Sequence, residues 1–284
     1  MRILVIGGTG KVGRPLAAAL VEKGVEVRAM TRSARPDKAD PGVELVEADL
    51  TRPESLPPAF EGVDRCYLLT PLAENEVELG SNAVEAAHRA GVERIVLQSV
   101  LRADEAQEIP HFVSKVRILE RIRATGVPWV VVSPSSFYQN DVVLRDLILG
   151  PGIYGNPIGS KGVNRVDVRD IAEVATATLL EEGHASRDIP VVGPDTWTGP
   201  SIAAEYSEIL GRKIRYSGDD LEAWAVAVSG HMPEWLVRDV RIMFDYFQRN
   251  SLLPTESQIA ESRAALGHEP RPFVDFAREL VTGD

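Results

Sequence analysis

Three things are scarce in this sequence of 284 residues: cysteine, basic charge and long apolar runs. Cys66 is the only cysteine, which excludes an internal disulfide and a cysteine-rich metal site and indicates a cytoplasmic location. Its apolar neighbours predict a buried strand thiol without a chemical role. The first apolar run covers only residues 3–6, too few for a signal peptide, and no later run approaches a membrane span. We therefore expect no membrane partner.

Basic residues are outnumbered by acidic ones, 31 to 42, which gives a net charge of -11. Such a charge repels the phosphate backbone of nucleic acids, and the arginines and lysines form no basic stripe, so no nucleic-acid partner is expected. The five histidines lie without a partner at ligand spacing, so no metal site is expected either. A Gly-x-Ser-x-Gly elbow is missing, which disfavours a hydrolase.

Short β-branched runs alternate with stretches of helical apolar spacing through the first two-thirds of the chain. The strand-like runs cover residues 3–6, 25–30, 43–46, 66–69, 95–98, 129–132 and 189–192. Such alternation is typical of α/β proteins, so we predict a doubly wound parallel Rossmann sheet. From residue 198 the pattern is mostly helical and rich in aromatic residues, which predicts a smaller, mainly helical C-terminal domain.

A glycine-rich turn directly follows the first predicted strand. It reads Gly7-Gly8-Thr9-Gly10-Lys11-Val12-Gly13, and an amphipathic helix comes next. Glycine lets the backbone turn sharply and approach a pyrophosphate, which then meets free amide groups and the positive end of the helix dipole. Its position between strand and helix therefore predicts a dinucleotide site. The expected binding residues are Gly7, Thr9, Gly10, Lys11, Val12 and Gly13.

This site gives the two predicted domains their roles. Residues 1–136 and 164–195 form the dinucleotide-binding Rossmann domain, and residues 137–163 and 196–284 form a substrate or cap domain. One connection departs from the pattern, because residues 31–42 hold two prolines and two aspartates and no apolar period. That composition predicts a mobile loop in place of the usual crossover helix.

The end of the second predicted strand bears on the choice of dinucleotide. A fold that binds an unphosphorylated ribose usually has Asp or Glu there, about 20 residues past the glycines, whereas this sequence has Thr31 and Arg32. A guanidinium offers a planar fork of donors to a 2′-phosphate, which favours NADP(H) over NAD(H). Arg35 is equally able to serve, and the alternative for Arg32 is a solvated loop residue.

Asp49 and Leu50 follow the third predicted strand. In a dinucleotide site, the Asp49 carboxylate is placed to accept from the adenine amino group, and Leu50 is placed to pack on the adenine ring. The alternative is that Asp49 caps the turn before Thr51. Both interpretations stay open at the level of the sequence.

Segments spread over nearly the whole chain resemble one known family. They are the turn at residues 5–13, the Thr31-Arg32 pair, Ala48-Asp49-Leu50, Ser99, His111-Phe112-Val113-Ser114-Lys115, Val168-Arg169-Asp170-Ile171-Ala172 and residues 264–277. Together they are similar to the NmrA-like branch of the atypical short-chain dehydrogenases/reductases. The resemblance implies a Rossmann domain, a small C-terminal substrate domain and a nicotinamide dinucleotide between them. Relatives include quinone and phenylpropanoid reductases, and also proteins that bind the dinucleotide as a regulatory signal.

The resemblance also implies where the chemistry lies. Short-chain dehydrogenases carry Tyr-x-x-x-Lys, in which the lysine holds the nicotinamide ribose and the tyrosine is the general acid, whereas here His111 stands four residues before Lys115. This spacing keeps both side chains on one helix face, and an imidazole titrates at about 6.5, so His111 either donates a proton or only lines the pocket. Lys115 is the preferred catalytic residue, as acid or ribose anchor, and Tyr138 is an alternative acid.

Further cofactor contacts are expected at the carboxyl ends of the strands, where ligands of such sheets bind. The residues there are Thr70, Pro71, Ser99, Ser133, Pro134, Ser136 and Phe137. Phe137, Tyr138 and Tyr154 form either an aromatic substrate slot or plain core.

These observations favour an NAD(P)H-dependent reductase of a small quinone, enone or carbonyl compound. The alternative is a non-catalytic NADP(H)-binding redox sensor of the NmrA type, whose cap domain contacts a protein partner. The polar and aromatic wall after the sixth predicted strand favours a small-molecule pocket, whereas the missing tyrosine favours sensing. The same missing tyrosine counts against a sugar-nucleotide epimerase.

Overall fold

The structure of the protein is a computed structural model that describes residues 1–33 and 39–283. Its strands are β1 (Arg2–Ile6), β2 (Glu26–Thr31), β3 (Val43–Glu47), β4 (Arg65–Leu68), β5 (Arg94–Gln98), β6 (Trp129–Pro134), β7 (Ser136–Phe137), β8 (Ile153–Tyr154), β9 (Val163–Val166), β10 (Arg187–Val191), β11 (Thr196–Trp197) and β12 (Arg215–Tyr216). Its α-helices are α1 (Gly13–Glu22), α2 (Pro57–Phe60), α3 (Glu76–Arg89), α4 (Pro110–Thr125), α5 (Arg145–Leu149), α6 (Val168–Leu180), α7 (Gly199–Leu210), α8 (Leu221–Val228), α9 (Glu234–Asn250), α10 (Glu256–Leu266) and α11 (Phe273–Thr282). Short 3₁₀ helices cover Pro53–Ser55 and Tyr138–Leu144. Within the described ranges, no helix combines the length and the apolar character needed to cross a lipid bilayer.

Seven strands form a sheet in the order β10-β6-β5-β4-β1-β2-β3, and every neighbouring pair is parallel. Val5 of the central strand β1 pairs with Ala29 of β2 on one side and with Tyr67 of β4 on the other. The chain therefore winds outward from β1 in one direction and then crosses to β4 to wind in the other. Each predicted strand lies in this sheet, and the predicted doubly wound Rossmann fold is confirmed.

Alternate side chains of the strands face opposite layers of helices. On one face, Val5 belongs to a core with Leu16 of α1 and Ile171 of α6. On the other face, Cys66 of β4 belongs to a core with Ile118 of α4. Cys66 is 1% exposed, so the predicted buried strand thiol is confirmed. Burial raises the pKa of this thiol, which keeps it protonated and unreactive.

The connection from β2 to β3 occupies residues 32–42, and its described residues form no helix. Residues 34–38, which include Arg35, lie outside the described part of the chain. The predicted mobility of this connection and the predicted role of Arg35 therefore stay predictions.

A smaller, mainly helical region stands beside the sheet and contains a three-stranded sheet, β11-β9-β7, and a two-stranded sheet, β12-β8. Its core is aromatic and includes Tyr138, Tyr154 and Phe273. Within this core the guanidinium of Arg165 binds both carboxylate oxygens of Asp141, at 2.9 and 3.0 Å, and the two side chains are no more than 2% exposed. This smaller region, called the cap from here on, is thus built around a buried ion pair that aromatic rings enclose.

Helix α10 comes from the segment assigned to the cap, but it packs against β10 and α6 of the large sheet. The backbone N–H of Val192 donates to Oγ of the fully buried Ser262 at 2.9 Å. The C-terminal segment therefore contributes to both regions, while the exact boundaries of the predicted domains stay a prediction.

Candidate functional site

The glycine-rich turn leaves β1 at Ile6 and enters α1 at Gly13. Gly7 has a φ of +79°, a conformation that side-chain-bearing residues rarely adopt, and a Cβ on it would lie 3.1 Å from the carbonyl oxygen of Leu69. The backbone N–H of Gly10 donates to the carbonyl of Gly7 at 2.9 Å, which closes the turn. The turn therefore lies directly against the carboxyl end of the neighbouring strand β4.

Gly10 and Gly13 have different surroundings. A Cβ on Gly13 would lie 2.1 Å from the carbonyl oxygen of Gly7 and 2.5 Å from the Cα of Gly8, so the close packing of turn and helix requires glycine there. A Cβ on the exposed Gly10 would meet only that same oxygen, at 3.2 Å, and would otherwise enter open space. The open side of Gly10 is the cradle that a pyrophosphate fits.

The start of α1 adjoins the turn. Val12 stands at the N-cap position and makes no side-chain cap bond. The N–H of Arg14 donates to the Gly10 carbonyl at 3.1 Å and Pro15 has no N–H, so the donor that the first turn can offer is the N–H of Gly13, at the positive end of the helix dipole, which suits an anion. The residues present therefore fit a dinucleotide phosphate.

Lys11 links the turn to the cap. Its Nζ donates to the backbone carbonyl of Gln139, in the 3₁₀ helix, at 3.0 Å. Partial burial lowers the pKa of Lys11, although the Asp141 carboxylate acts in the opposite direction. Thr9, the other polar residue predicted on the turn, is exposed at its tip. Thr9 and Lys11 therefore flank the exposed Gly10 that forms the cradle.

The ends of β2 and β3 lie side by side, because Thr31 pairs with Glu47 in the sheet register. Arg32 follows Thr31 and is exposed. One carboxylate oxygen of Asp49 accepts from the backbone N–H of Thr51 at 2.9 Å and from its hydroxyl at 2.8 Å. These two hydrogen bonds lower the pKa of Asp49, and the nearby Arg52 and Arg32 lower it further.

Asp49 thus caps the turn before Thr51, which is the alternative role that remained open at the level of the sequence. Leu50 is 6% exposed and packs in the core under the sheet, and its carbonyl accepts from the Asn82 amide at 2.8 Å. Its side chain packs in that core, and its predicted contact with an adenine ring stays a prediction.

Lys115 is fixed at the carboxyl end of β4. Its Nζ donates to the hydroxyl of Thr70 at 2.7 Å and lies 2.5 Å from Oε1 of Glu76. The Thr70 hydroxyl in turn donates to the same carboxylate oxygen at 2.6 Å. Since Thr70 follows Leu69, which touches Gly7, the structure brings Lys115 and the glycine turn to one edge of the sheet.

Glu76 is the residue of this group that sequence reasoning missed. It is 1% exposed, and its Oε2 has no hydrogen-bond partner among the described residues. Its position in the first turn of α3 gave no signal, because acidic residues are common there for their interaction with the helix dipole.

His111 lies one helical turn before Lys115 on α4, and its Nδ1 is 2.5 Å from Oδ1 of Asp239 on α9. The two side chains are 14% and 9% exposed. The ring of His111 also contacts that of Phe112 edge to face, with centroids 4.9 Å apart. The predicted pair on one helix face is thus present, and its histidine is bound to the cap by a carboxylate that the sequence gave no reason to choose.

The other predicted wall residues occupy the ends of β4, β5 and β6. Ser99 is buried, and its N–H donates to the Val132 carbonyl at 2.8 Å, which joins the ends of β5 and β6. Ser133 and Pro134 are buried at the end of β6, Ser136 and Phe137 are half-buried in β7, and Pro71 is exposed after β4. The structure therefore gathers these residues along one edge of the sheet.

Tyr138 is not part of this group. It is completely buried, its ring packs on those of Phe273 and Phe276, and its hydroxyl donates to the backbone carbonyl of Arg271 at 3.1 Å. Burial raises the pKa of Tyr138, so its phenol is a poor proton donor. Tyr154 is equally buried, and its hydroxyl donates to Asp141. Of the two interpretations of these tyrosines, plain core is the one that describes their surroundings.

A parallel doubly wound sheet, a glycine turn after its first strand and an uncapped helix N-terminus define a dinucleotide-binding α/β protein. Residues 1–277 match the NmrA-like family, and the chain belongs to that family.

Similar proteins agree with this membership. An NAD(P)H azoreductase of Xenophilus azovorans is 31% identical over 286 residues, which are 97% of this chain and 96% of that protein. The Citrobacter sp. triphenylmethane reductase complexed with NADP(H) is 25% identical, with a TM-score of 0.85 and 99% of each chain covered. NmrA, a negative transcriptional regulator solved in complex with NADP, has a TM-score of 0.80 at 18% identity, with 99% of this chain and 95% of that chain covered, which is a likeness of fold.

Proposed function

We propose that this protein is an NAD(P)H-dependent reductase of a small conjugated acceptor such as a quinone, an enone or a carbonyl compound. The observation that carries the proposal is the position of Lys115, which is bound to Thr70 at the sheet edge beside the glycine turn and has His111 one helical turn away. The azoreductase and the triphenylmethane reductase, both named for reductions of conjugated compounds, support the same reaction class.

The residues of the turn are proposed to hold the dinucleotide. Its pyrophosphate would meet the open side of Gly10 and the N–H of Gly13 at the start of α1, while Arg32 would face a 2′-phosphate. Lys115 would hold the nicotinamide ribose, as the family resemblance implies. We assign a preference for NADP(H) over NAD(H), because no described carboxylate follows β2 directly and the exposed Arg32 does.

Reduction of an acceptor needs a hydride, which the bound cofactor supplies, and a proton, which the protein must supply. The ammonium of Lys115 is held in place by the Glu76 carboxylate and the Thr70 hydroxyl, which suits a fixed anchor better than an acid. His111 is the better donor, because Nδ1 is bound to Asp239 and Nε2 stands on the opposite side of the ring. Proton delivery by a positioned group is worth about 10² to 10⁴ in rate.

A stopped-flow panel tests the proposal. NADPH oxidation is followed with a quinone, an enone, an aldehyde and an azo dye, and His111→Phe is compared with wild type on the best acceptor. We expect turnover with at least one acceptor and a loss of at least tenfold in the variant. NADPH binding by calorimetry without oxidation by any acceptor would favour the redox-sensor alternative, and absence of binding would contradict both.

A further inference from the structure

We infer that Asp239 is the positioning residue of His111, so that a cap helix sets which imidazole nitrogen is free to deliver the proton. This inference rests on the proposed function, since it concerns the same donor. It adds a residue that lies 128 positions away in the sequence and outside every motif that pointed to the site.

The position of His111 follows from α4. Pro110 begins the helix, and His111 is in its first turn, on the face that one turn later carries the buried Lys115. Lys115 is held at the carboxyl edge of the sheet, so the imidazole stands above that edge at the boundary with the cap.

Asp239 reaches the imidazole from α9. This helix is anchored in the cap by Phe244 and Phe247, which are buried in the aromatic core. The Asp239 side chain is only 9% exposed, and His111 is the partner that the described chain provides for it. A buried carboxylate that loses its one hydrogen-bonding partner incurs a large desolvation free energy, so the contact between Asp239 and His111 is stabilised.

The contact determines the state of the ring. Nδ1–H donates a hydrogen bond to the Asp239 carboxylate 2.5 Å away, which fixes the Nδ1–H tautomer and leaves Nε2 as the exchangeable position. When Nε2 carries a proton it donates it to the acceptor, and the imidazole returns to the neutral Nδ1–H form. No described residue hydrogen-bonds to Nε2, so this nitrogen is available to a substrate.

The experiment compares Asp239→Leu, Asp239→Asn, His111→Phe and the double variant His111→Phe/Asp239→Leu in the full-length protein. Glu108→Gln is the matched control. Glu108 lies just before α4 and makes an exposed ion pair with Arg249, which is on the same helix α9 as Asp239, but it makes no hydrogen bond or ion pair with His111. The readouts are kcat and KM for NADPH oxidation and the ¹⁵N resonances of the His111 ring, which distinguish the two tautomers.

We expect Asp239→Leu to lower kcat about tenfold to a hundredfold, less than the full loss of a general acid because the imidazole remains, and to leave KM for NADPH unchanged. Asp239→Asn keeps an acceptor for Nδ1–H, so it should retain the tautomer and most of the rate. Adding Asp239→Leu to His111→Phe should change kcat less than twofold, and Glu108→Gln should behave as wild type.

Equal losses from Asp239→Leu with and without His111 would overturn the inference, because Asp239 would then act only as a structural contact of the cap. An unchanged tautomer in Asp239→Leu would overturn it as well. The ring resonances need no turnover, so they decide the role of Asp239 even if no acceptor is reduced and the proposed function itself fails.

Discussion

The ammonium of Lys115 lies 2.5 Å from a carboxylate oxygen of Glu76, and the two side chains are 9% and 1% exposed. This is a buried ion pair at the edge of the sheet, completed by the hydroxyl of Thr70. This lysine neutralises a buried carboxylate, and in the proposed function it also holds the dinucleotide. The two tasks predict separable effects of mutation.

Lys115→Met should destabilise the fold by about 3 to 5 kcal/mol, because it leaves the Glu76 charge buried without a partner. In Lys115→Met/Glu76→Leu both charges are replaced by apolar groups, so most of the stability should return while NADPH affinity stays low. Urea unfolding and calorimetric titration measure the two quantities. Recovery of NADPH affinity in the double variant would contradict a role of Lys115 in holding the cofactor.

Gly10→Val should abolish dinucleotide binding and change the free energy of unfolding by less than about 1 kcal/mol, because its side chain would fill only the open cradle. Gly13→Ala is the contrasting variant, since its Cβ would collide with the turn backbone. We expect it to destabilise the protein by about 1 to 3 kcal/mol. Circular dichroism and cofactor titration separate the two effects, and tight binding by Gly10→Val would place the phosphate elsewhere.

Arg32→Ala should weaken NADPH binding about tenfold or more and leave NADH binding nearly unchanged, because a charge-assisted hydrogen bond to a phosphate is worth about 1.5 to 3 kcal/mol. Arg89→Ala, which removes another exposed arginine, at the C-terminal end of α3, is the control. Isothermal titration with both dinucleotides provides the measurement. Equal affinities of wild type for NADPH and NADH would rule out the assigned preference.

The pair His268–Glu173 predicts a dependence of stability on pH. The hydrogen bond that Nε2 of His268 donates to the Glu173 carboxylate, at 2.6 Å, raises the pKa of His268 above its ordinary 6.5. Partial burial acts to raise the pKa of Glu173, but hydrogen bonds from His268 and Arg271 outweigh it and lower that pKa below 4.5. The histidine contribution is complete below pH 6.5 and is lost as pH rises through the raised pKa, while the glutamate contribution is lost as pH falls through the lowered one.

His268→Gln should therefore be less stable than wild type between pH 4.5 and 6.5, and the two should converge at high pH. Both side chains are more than a third exposed, so the difference should be about 0.5 kcal/mol. Urea unfolding of both proteins across this range is the measurement. A constant difference at every pH would show that the histidine acts by packing and not by charge.

The sheet was predictable from the sequence because its signals are local. The short β-branched runs, the glycine triplet and Cys66 each depend on neighbouring residues, and the structure places every one of them in or beside the parallel sheet. The four-residue spacing of His111 and Lys115 likewise predicted their shared face, since both lie on α4 one helical turn apart.

The partners of those residues were not predictable, because they arrive from distant parts of the chain. Asp239 is separated from His111 by 128 positions, and Glu76 is one acidic residue among many at helix starts. Tyr138 shows the converse difficulty. It follows a strand end as a site residue does, but long-range packing against Phe273 places it in the cap core.

Helix α10 has a consequence for handling the protein in solution. β10 is the outer strand of the large sheet, and α10 packs against it while Ser262 accepts a hydrogen bond from Val192. An uncovered outer strand presents free backbone donors and acceptors that recruit strands of other molecules. A chain trimmed before residue 256 would therefore keep every strand of the sheet but expose the backbone of β10 to edge-to-edge aggregation.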